Sequence, residues 1–324
     1  MKKILGIFGI LLFVFVMTAI LSDFFLDPYN LENLLRRTAL FGIISIGVAF
    51  VIITGGIDLS IGSVVCLVGC GLPWLLRVQG WSVPAALLAV LCFSLVVGLI
   101  HGLLVTKLKL QPFVVTLCGL LLYRGITRGF TGDQSQGFGT EFKGLRELAT
   151  SEISFGSFGL PMPCIFLIVV AVLAGIFLNK TIYGRYLLAL GNNEEAARFS
   201  GINVDNMTIL AYMICAFCSG LGGLLFVLDV NSAQPVDFGN FYELYAIAAA
   251  VLGGCSLRGG TGTILGVVIG TALMQVLRNM IVLVDWIPTH IEYAIIGAVI
   301  LIGVTADEVI KRVVAQRKQA KSTA

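Results

Sequence analysis

The polar residues best suited to chemistry interrupt long apolar stretches, and the clearest interruption is the run Gly55-Gly56-Ile57-Asp58-Leu59-Ser60. A carboxylate and a hydroxyl two positions apart can accept hydrogen bonds from free backbone N–H groups or bind a polar solute. Because Asp58 directly precedes another apolar run, it is placed to cap the helix that this run predicts. An aspartate at membrane depth costs roughly 2.5–3.5 kcal/mol on insertion scales, so it needs partners there. Two compatible roles remain open for Asp58, a helix cap and a polar lining of a path through the protein.

The other residue types that support catalysis or metal binding do not form recognisable sites. The two histidines, His101 and His290, are too few for a histidine-based metal site, and the eight cysteines lie in or beside apolar runs, where they act as small hydrophobes. Cys215 and Cys218 form a C-x-x-C pair, but no βαβ pattern surrounds it. Neither H-E-x-x-H nor G-x-x-x-x-G-K-[ST] occurs. The sequence therefore predicts no metal site, no cofactor, no catalytic residue and no ATP site in this chain.

The elements that position these residues must be membrane helices. The chain has 324 residues, of which 58% are hydrophobic and only 12% charged, and its mean hydropathy is +0.99. Soluble domains carry about 25% charged residues, so a chain with half that fraction needs lipid as its outer solvent. The 38 glycines suit close packing of membrane helices. A net charge of +3 is too small to indicate nucleic-acid binding.

The hydropathy pattern predicts an all-α, polytopic membrane protein of about ten transmembrane helices, forming a single domain over residues 1–324. A span needs about 20 apolar residues, and fewer where a helix is broken. The predicted spans are 4–21, 38–54, 59–76, 82–105, 113–130, 161–178, 207–228, 242–254, 262–283 and 288–304.

Two of these spans, 38–54 and 242–254, are short and end in glycine-rich polar runs, the second being Gly253–Gly260. Irregular backbone at membrane depth survives only where protein or water satisfies it. Short, glycine-broken segments in the two halves of a transporter mark the place where a solute passes. The two breaks run in the same sense, so they do not form an inverted pair.

The distribution of lysine and arginine predicts that both termini are cytoplasmic, because cytoplasmic loops carry an excess of these residues. The N-terminal run 4–21 resembles a signal peptide, but no small-residue cleavage site follows, which favours a retained first helix. In this topology the segment 131–160 forms a periplasmic loop and the segment 179–206 lies in the cytoplasm.

The cytoplasmic segment contains a short predicted helix over residues 192–201. Asn193 can cap it, Glu194 and Glu195 favour its positive end, and Gly201 can terminate it. From its position alone, this element is either a surface helix or a docking element for a cytoplasmic partner.

Three further features indicate packing or membrane anchoring. Gly262, Gly266 and Gly270 fall on one helix face, which predicts close helix packing within the subunit. Arg124 and Arg128 are expected to reach the outer interface by snorkelling. His101, inside the fourth span, is expected to pack between helices rather than to relay protons.

Five groups of segments, in order along residues 38 to 315, resemble the permeases of bacterial ABC importers for ribose and related monosaccharides. The matching segments are Gly55 to Ser63, Gln111 to Leu117, Tyr123-Arg124-Gly125, Gly184-Arg185, Gly191-Asn192, Ala196-Ala197, Ser200-Gly201-Ile202 and the loop from Gly253 to Gly260. The sequence departs from the family at His101, where asparagine is common.

The resemblance implies a monosaccharide permease in the bacterial inner membrane that pairs as a homodimer. A cytoplasmic ATP-binding subunit would drive it, and a periplasmic sugar-binding protein would deliver the sugar. By the same resemblance, the helix from Glu194 to Gly201 is the coupling helix that contacts the ATPase. The residues assigned to ATPase coupling are Gly191, Asn192, Glu194, Glu195, Ala196, Ala197, Arg198 and Gly201.

By the same resemblance, seven residues are candidates for the substrate pathway, and none of them is catalytic. They are Thr54, Gly55, Gly56, Asp58, Ser60, Thr116 and Ser256. A permease for another small polar solute remains the main alternative, with a nucleoside, a signalling furanose or a branched-chain amino acid as the solute. An ion-coupled carrier would need more intramembrane carboxylates than Asp58. A membrane enzyme would need convergent His, Asp or Cys side chains that the sequence does not supply.

Overall fold

The computed structural model describes residues 2–156, 158–284, 286–299, 301–302 and 305, and it confirms the all-α prediction. Within those residues, eight helices are long and apolar enough to cross a membrane, and a further apolar helix, Tyr242–Leu252, is shorter.

The helices are numbered in chain order. They are α1 (Lys2–Leu21), α2 (Pro28–Ile53), α3 (Ile61–Pro73), α4 (Val83–Thr106), α5 (Pro112–Thr131), α6 (Lys143–Thr150), α7 (Met162–Lys180), α8 (Ile182–Asn192), α9 (Glu194–Phe199), α10 (Val204–Val230), α11 (Tyr242–Leu252) and α12 (Ile264–Leu283). A π-helical turn (Trp74–Val78) continues α3, and a 3-10 turn (Thr289–Ile291) precedes helical residues 292–299. The strands are β1 (Gln136–Gly137), β2 (Glu152–Phe155), β3 (Phe158–Pro161) and β4 (Ser232–Ala233), and β1 pairs with β4 and β2 with β3, both antiparallel.

Helix α2 begins earlier than the sequence suggested. The Asp27 carboxylate accepts a hydrogen bond from the Tyr29 N–H (2.9 Å), and Pro28 occupies the first turn, so the helix has a good cap and starts at Pro28. The predicted span left out residues 28–37, which include acidic Glu32, but side chains of this part, such as Asn30 and Arg36, bind other parts of the protein. The predicted start at residue 38 is therefore wrong, whereas the break that follows the helix lies where it was predicted.

The last predicted span, 288–304, falls partly outside the described residues, which include a helical stretch over 292–299. The predicted cytoplasmic C-terminal tail lies wholly outside them. The placement of both termini in the cytoplasm therefore stays a prediction.

Helices α2 and α10 form the centre of the bundle. Helix α10 packs against α2, α3 and α4, and α2 also contacts α7, α11 and α12. Gly98 and Gly102 of α4 lie directly against the α10 backbone at Tyr212 and Ile209, so any side chain there would clash. Helix α1 lies at the periphery and exposes large apolar side chains, as expected for a helix that faces lipid.

The glycine face of the α12 region packs within the subunit, as predicted. Gly266 and Gly270 lie against the backbone at Gly253 and Ala249 at the end of α11. This contact brings α11 and α12 close together and fixes the loop 253–263 between them.

The bundle has two ends, which position the candidate sites. We call the end that carries α8, α9 and the α4–α5 loop the α9 end. The opposite end, which carries α6 and strands β1 to β4, is the hairpin end. The predicted topology assigns the α9 end to the cytoplasm and the hairpin end to the periplasm.

Candidate translocation path and docking helix

The first break covers residues 54–60, between α2 and α3, and it is held together by its own side chains. The Asp58 Oδ1 atom accepts hydrogen bonds from the Ser60 backbone N–H (2.8 Å) and from the Ser60 hydroxyl (2.7 Å). Both residues are only 1% exposed. Asp58 therefore stabilises the turn before α3, but Ser60 is the N-cap residue and no side chain caps the helix, so the predicted role of Asp58 as the helix cap is wrong. Its pathway role stays a prediction.

Aromatic residues and a histidine surround this break. The Tyr212 hydroxyl of α10 donates a hydrogen bond to the Ile57 carbonyl (3.2 Å). His101 is 1% exposed, and its Nε2 atom lies 2.9 Å from the Tyr123 hydroxyl. The His101 ring also packs edge-on against Tyr212, with the ring centroids 6.3 Å apart. His101 thus packs between α4, α5 and α10, next to the first break.

Residues 231–241, between α10 and α11, run from the hairpin end along α3, and we call this segment the second break. No sequence pattern indicated its inward course, whereas the glycine-rich run predicted as a break, Gly253–Gly260, lies in the loop between α11 and α12. The Arg124 Nη1 atom donates hydrogen bonds to the carbonyls of Pro235 (3.1 Å) and Phe238 (2.6 Å). The Cys66 and Cys70 thiols lie against carbonyls of the same segment. The expectation that Arg124 snorkels to the outer interface is therefore wrong, because its guanidinium satisfies backbone carbonyls of this segment instead.

The two breaks meet at a pair of glycines. Gly62, at the start of α3, and Gly239, at the end of the second break, approach so closely that a Cβ on either would overlap the carbonyl oxygen of the other. Gly239 has φ +78°, which a glycine adopts without strain. Glu243 lies against Gly62 and is only 8% exposed. Sequence reasoning missed this second buried acid, although it stands at the start of the short span 242–254.

A polar cavity of roughly 310 Å³ opens at the α9 end and brings several predicted site residues together. Thr54, Gly55 and Gly56 of the first break line it, as does the predicted coupling residue Glu194. Asp58 and Ser60 are buried and lie outside the described lining.

Two predicted pathway residues satisfy their own local structure. Thr116 is fully buried, and its hydroxyl donates a hydrogen bond to the Pro112 carbonyl one turn earlier (2.9 Å). Ser256 belongs to the loop 253–263, where its backbone N–H bonds the Thr261 carbonyl (3.0 Å). A pathway role for either residue stays a prediction.

Helix α9 forms where the short helix was predicted. The Asn193 side chain accepts a hydrogen bond from the Ala196 N–H (2.9 Å) and caps the helix. Ala197 faces inward at 4% exposure, and Gly201, with φ +82°, terminates the element. Phe199, the last residue of α9, is 92% exposed, more than any other large apolar side chain of the described residues. The sequence analysis did not single out Phe199.

Charged residues tie α9 to the α4–α5 loop. The Arg198 guanidinium lies 3.1 Å from both the Glu194 and the Asp205 carboxylates. The hydrogen bond to Glu194, followed in size by the hydrogen bond to Asp205, raises the pKa of Arg198 above its ordinary value. Lys107 and Lys109 also contact Asp205, at 2.8 and 3.6 Å. Asp205 therefore links three basic side chains from two segments of the α9 end.

Helix α8 contacts the beginning of the first break. Gly191 lies directly against the Ile53 carbonyl and the Gly260 N–H, where a larger residue would not fit. The Gly260 N–H donates a hydrogen bond to the Ile53 carbonyl (2.8 Å), and the Asn192 amide donates one to the Gly260 carbonyl (3.2 Å). The α8–α9 segment, the end of α2 and the loop 253–263 thus form one continuous contact.

Across the part of the chain that the structure describes, no group of three His, Cys, Asp or Glu residues could hold a metal ion.

A bundle of membrane-length helices with two breaks in its packed core and a short helix exposed at one end is the architecture of a polytopic membrane protein. The chain belongs to the family described as branched-chain amino acid transport system / permease component, whose family model matches residues 30–304. It is therefore a multi-pass inner-membrane permease component and not an enzyme.

Curated relatives cover most of the chain. The ribose import permease protein of Bacillus subtilis is 37% identical over 308 residues, which are 95% of this chain and 93% of the relative. The ribose import permease protein of Escherichia coli is 36% identical, covering 92% and 91%. The xylose transport system permease protein of Escherichia coli is 33% identical, covering 89% and 87%. No solved structure shows a significant match.

Proposed function

We propose that this chain is the transmembrane permease subunit of an ABC importer that carries a monosaccharide, foremost a pentose, across the inner membrane. Similarity to ribose and xylose permeases over nearly the whole chain supports the substrate class. The partners are a separate ATP-binding subunit, a periplasmic sugar-binding protein and a second copy of the chain. A permease that lacks an ATP-binding motif must receive its energy through a contact.

The observation that carries this proposal is the exposed α9 helix. Its cap at Asn193 and the ion pairs of Arg198 hold it in place, while Phe199 extends almost fully exposed. A fixed helix with one exposed aromatic side chain suits insertion into a pocket of a partner protein, because buried aromatic anchors dominate interface energetics.

A structural connection leads from α9 to the first break. Movement of α9 acts on Gly191 and Asn192, which contact the Ile53 carbonyl and the 253–260 loop directly. The first break begins at Thr54, directly after Ile53, and its residues line the cavity at the α9 end. ATP-driven movement of the partner would therefore change the shape of this cavity, as alternating access requires.

The test is ATP-dependent uptake of labelled ribose and xylose by proteoliposomes that contain the assembled transporter. Phe199→Ala should lower uptake at least about tenfold, because truncating an interface anchor typically costs 2 kcal/mol or more. Co-purification of the ATP-binding subunit should fall in parallel. The matched control is Tyr29→Ala, which removes a 75%-exposed aromatic side chain at the hairpin end and should leave ATPase binding unchanged.

A second substitution separates docking from folding. Gly201→Glu places a charged side chain in a left-handed backbone conformation at the end of α9, with open space around it. We expect the variant to reach the membrane but to lose uptake. Normal uptake in both Phe199→Ala and Gly201→Glu would rule out the coupling role of α9.

The family description favours one alternative substrate class, branched-chain amino acids. Competition assays decide between the two: unlabelled ribose or xylose should suppress uptake of labelled sugar, and leucine should not. Uptake of labelled leucine without uptake of either sugar would select the alternative. Uptake that follows an ion gradient in the absence of ATP would instead indicate a secondary transporter.

A further inference from the structure

A second polar cavity, of roughly 350 Å³, opens at the hairpin end between α2, α11, α12 and the helical residues 292–299. We call it the hairpin-end pocket. The residues that carry its chemistry are Arg37, Phe41, Tyr242, Gln275, Arg278 and Glu292. None of them belongs to the candidate pathway or coupling residues described above.

The pocket contains a buried side chain without a protein partner. Gln275 is only 4% exposed, yet its carboxamide makes no hydrogen bond with any described residue. Arg37, on the facing helix, likewise forms no hydrogen bond or ion pair within the described chain. The fully buried side-chain atoms without a partner in the described chain belong to Ser22, Arg36 and His101, so the Gln275 carboxamide is open to the cavity. Gln275 is therefore placed as a group that a ligand satisfies, with two donors and an acceptor to offer.

The polar groups on the opposite side of the pocket are held by contacts with neighbouring side chains. The Arg278 Nε atom lies 2.7 Å from the Glu292 carboxylate, which also accepts a hydrogen bond from the Tyr245 hydroxyl (3.2 Å). The Arg278 guanidinium packs over the Tyr245 ring at 4.6 Å and over the Phe41 ring at 5.7 Å. These contacts hold the polar groups of the wall in place before a ligand arrives, which lowers the entropic cost of binding.

The pocket lies directly against the second break. Tyr242 is the first residue of α11, immediately after residues 231–241, and its ring packs against Phe41 with the centroids 4.8 Å apart. The pocket therefore leads from the hairpin end to the point where helical structure is interrupted inside the bundle. Broken segments of this kind mark solute paths in transporters.

We propose that the hairpin-end pocket binds the monosaccharide before it passes the second break. Gln275 and Arg37 bond sugar hydroxyls, and the rings of Tyr242 and Phe41 contact the apolar face of the sugar. Glu292 pairs with Arg278, so the wall offers acceptors as well as donors, as a polyhydroxylated ligand requires, and Arg37 adds further donors. This inference rests on the proposed function.

The test measures sugar binding by the full-length chain in nanodiscs, without the sugar-binding protein, through equilibrium dialysis of labelled D-ribose and D-xylose. Gln275→Leu keeps the size of the side chain and removes its polar groups, so the Kd should rise about tenfold through the loss of paired hydrogen bonds. The control is Thr271→Val, one turn earlier on α12, whose hydroxyl bonds the Val267 carbonyl within the helix (2.9 Å). Its Kd should equal that of the unmodified chain.

Three results would overturn the proposal: equal affinities of Gln275→Leu and the unmodified chain, no sugar binding by the unmodified chain, or loss of the sugar signal when phosphatidylglycerol is added. The last would identify an anionic lipid as the occupant. ATP-dependent sugar uptake by the assembled transporter is measured alongside. Sugar uptake without binding at the pocket refutes only this inference, whereas absence of sugar uptake refutes the proposed function itself.

Discussion

The two breaks in the helical core meet at Gly62 and Gly239, yet they are stabilised in opposite ways. In the first break, Asp58 bonds Ser60 within the same turn. In the second break, the carbonyl groups are satisfied by side chains from other helices, chiefly Arg124 of α5. Irregular backbone inside a membrane protein must find partners, but these partners can be local or distant. Only local partners leave a recognisable pattern in the sequence.

This difference has a mechanical consequence. The Asp58–Ser60 hydrogen bonds of the first break persist when neighbouring helices shift, because both residues belong to the same turn, whereas the Tyr212 hydrogen bond to the Ile57 carbonyl depends on α10. The second break depends on the relative position of α3, α5 and α11. We therefore expect the second break to be the more sensitive to distant substitutions.

The largest expected effect comes from filling the contact between the breaks. Gly62→Ala would place a methyl group on the Gly239 carbonyl and the Glu243 carboxylate, so backbone on both sides must move. We expect loss of uptake and a stability loss of about 3 kcal/mol, at the upper end for overpacked cores because the obstructing atoms include backbone, measured by transport and by detergent unfolding. The control, Gly71→Ala on the same helix, meets open space and should behave like the unmodified protein. Equal behaviour of the two variants would contradict the close contact of the breaks.

Removing the distant partner of the second break should have the next largest effect. Arg124→Gln removes charged hydrogen bonds to two carbonyls and should destabilise the protein by about 2–3 kcal/mol in detergent unfolding. Arg128→Gln, one turn later, is the matched control, because Arg128 pairs with Asp133 at the surface. The account of the second break fails if the two arginine variants are equally stable.

Two substitutions at Asp58 distinguish its hydrogen bonds to Ser60 from its negative charge. Asp58→Ala removes the acceptor for both Ser60 hydrogen bonds and should cost about 1–2 kcal/mol of unfolding free energy, because the buried Ser60 N–H and hydroxyl lose their partner. Asp58→Asn keeps an acceptor and should retain most of that stability. Uptake by the stable Asp58→Asn variant then distinguishes the two roles. Retained uptake assigns Asp58 to the turn, and lost uptake assigns its charge to the path.

The smallest effect lies outside both breaks, at the exposed pair of Arg128 and Asp133. The hydrogen bond from Arg128 lowers the pKa of Asp133, so any stabilisation is present above the ordinary aspartate pKa and declines as pH falls through the lowered value. Because the pair is solvent-exposed, Asp133→Asn should leave the unfolding midpoint at pH 7 unchanged. A destabilisation as large as that of Arg124→Gln would show that an exposed ion pair contributes as much stability as the hydrogen bonds of the second break.

Several features could be predicted because they depend on neighbouring residues. Apolar runs of membrane length indicated the helices, and the polar run around Asp58 indicated the first break. Asn193 and Gly201 indicated a short helix at the α9 end, which the structure places at Glu194–Phe199. The cap of α2 at Asp27 could also have been recognised in the sequence, but the predicted span left out the polar first turns of α2.

The sequence by itself determined that this chain is a helical membrane protein with a glycine-rich break, because hydropathy and capping act over a few residues. It also carried the family resemblance, which the comparisons confirmed. Only the tertiary structure decided that Arg124 turns inward, that Glu243 is buried beside Gly62 and that Gln275 lines a pocket without a partner. Each of these depends on contacts between helices far apart in the chain, and such contacts have no local signature.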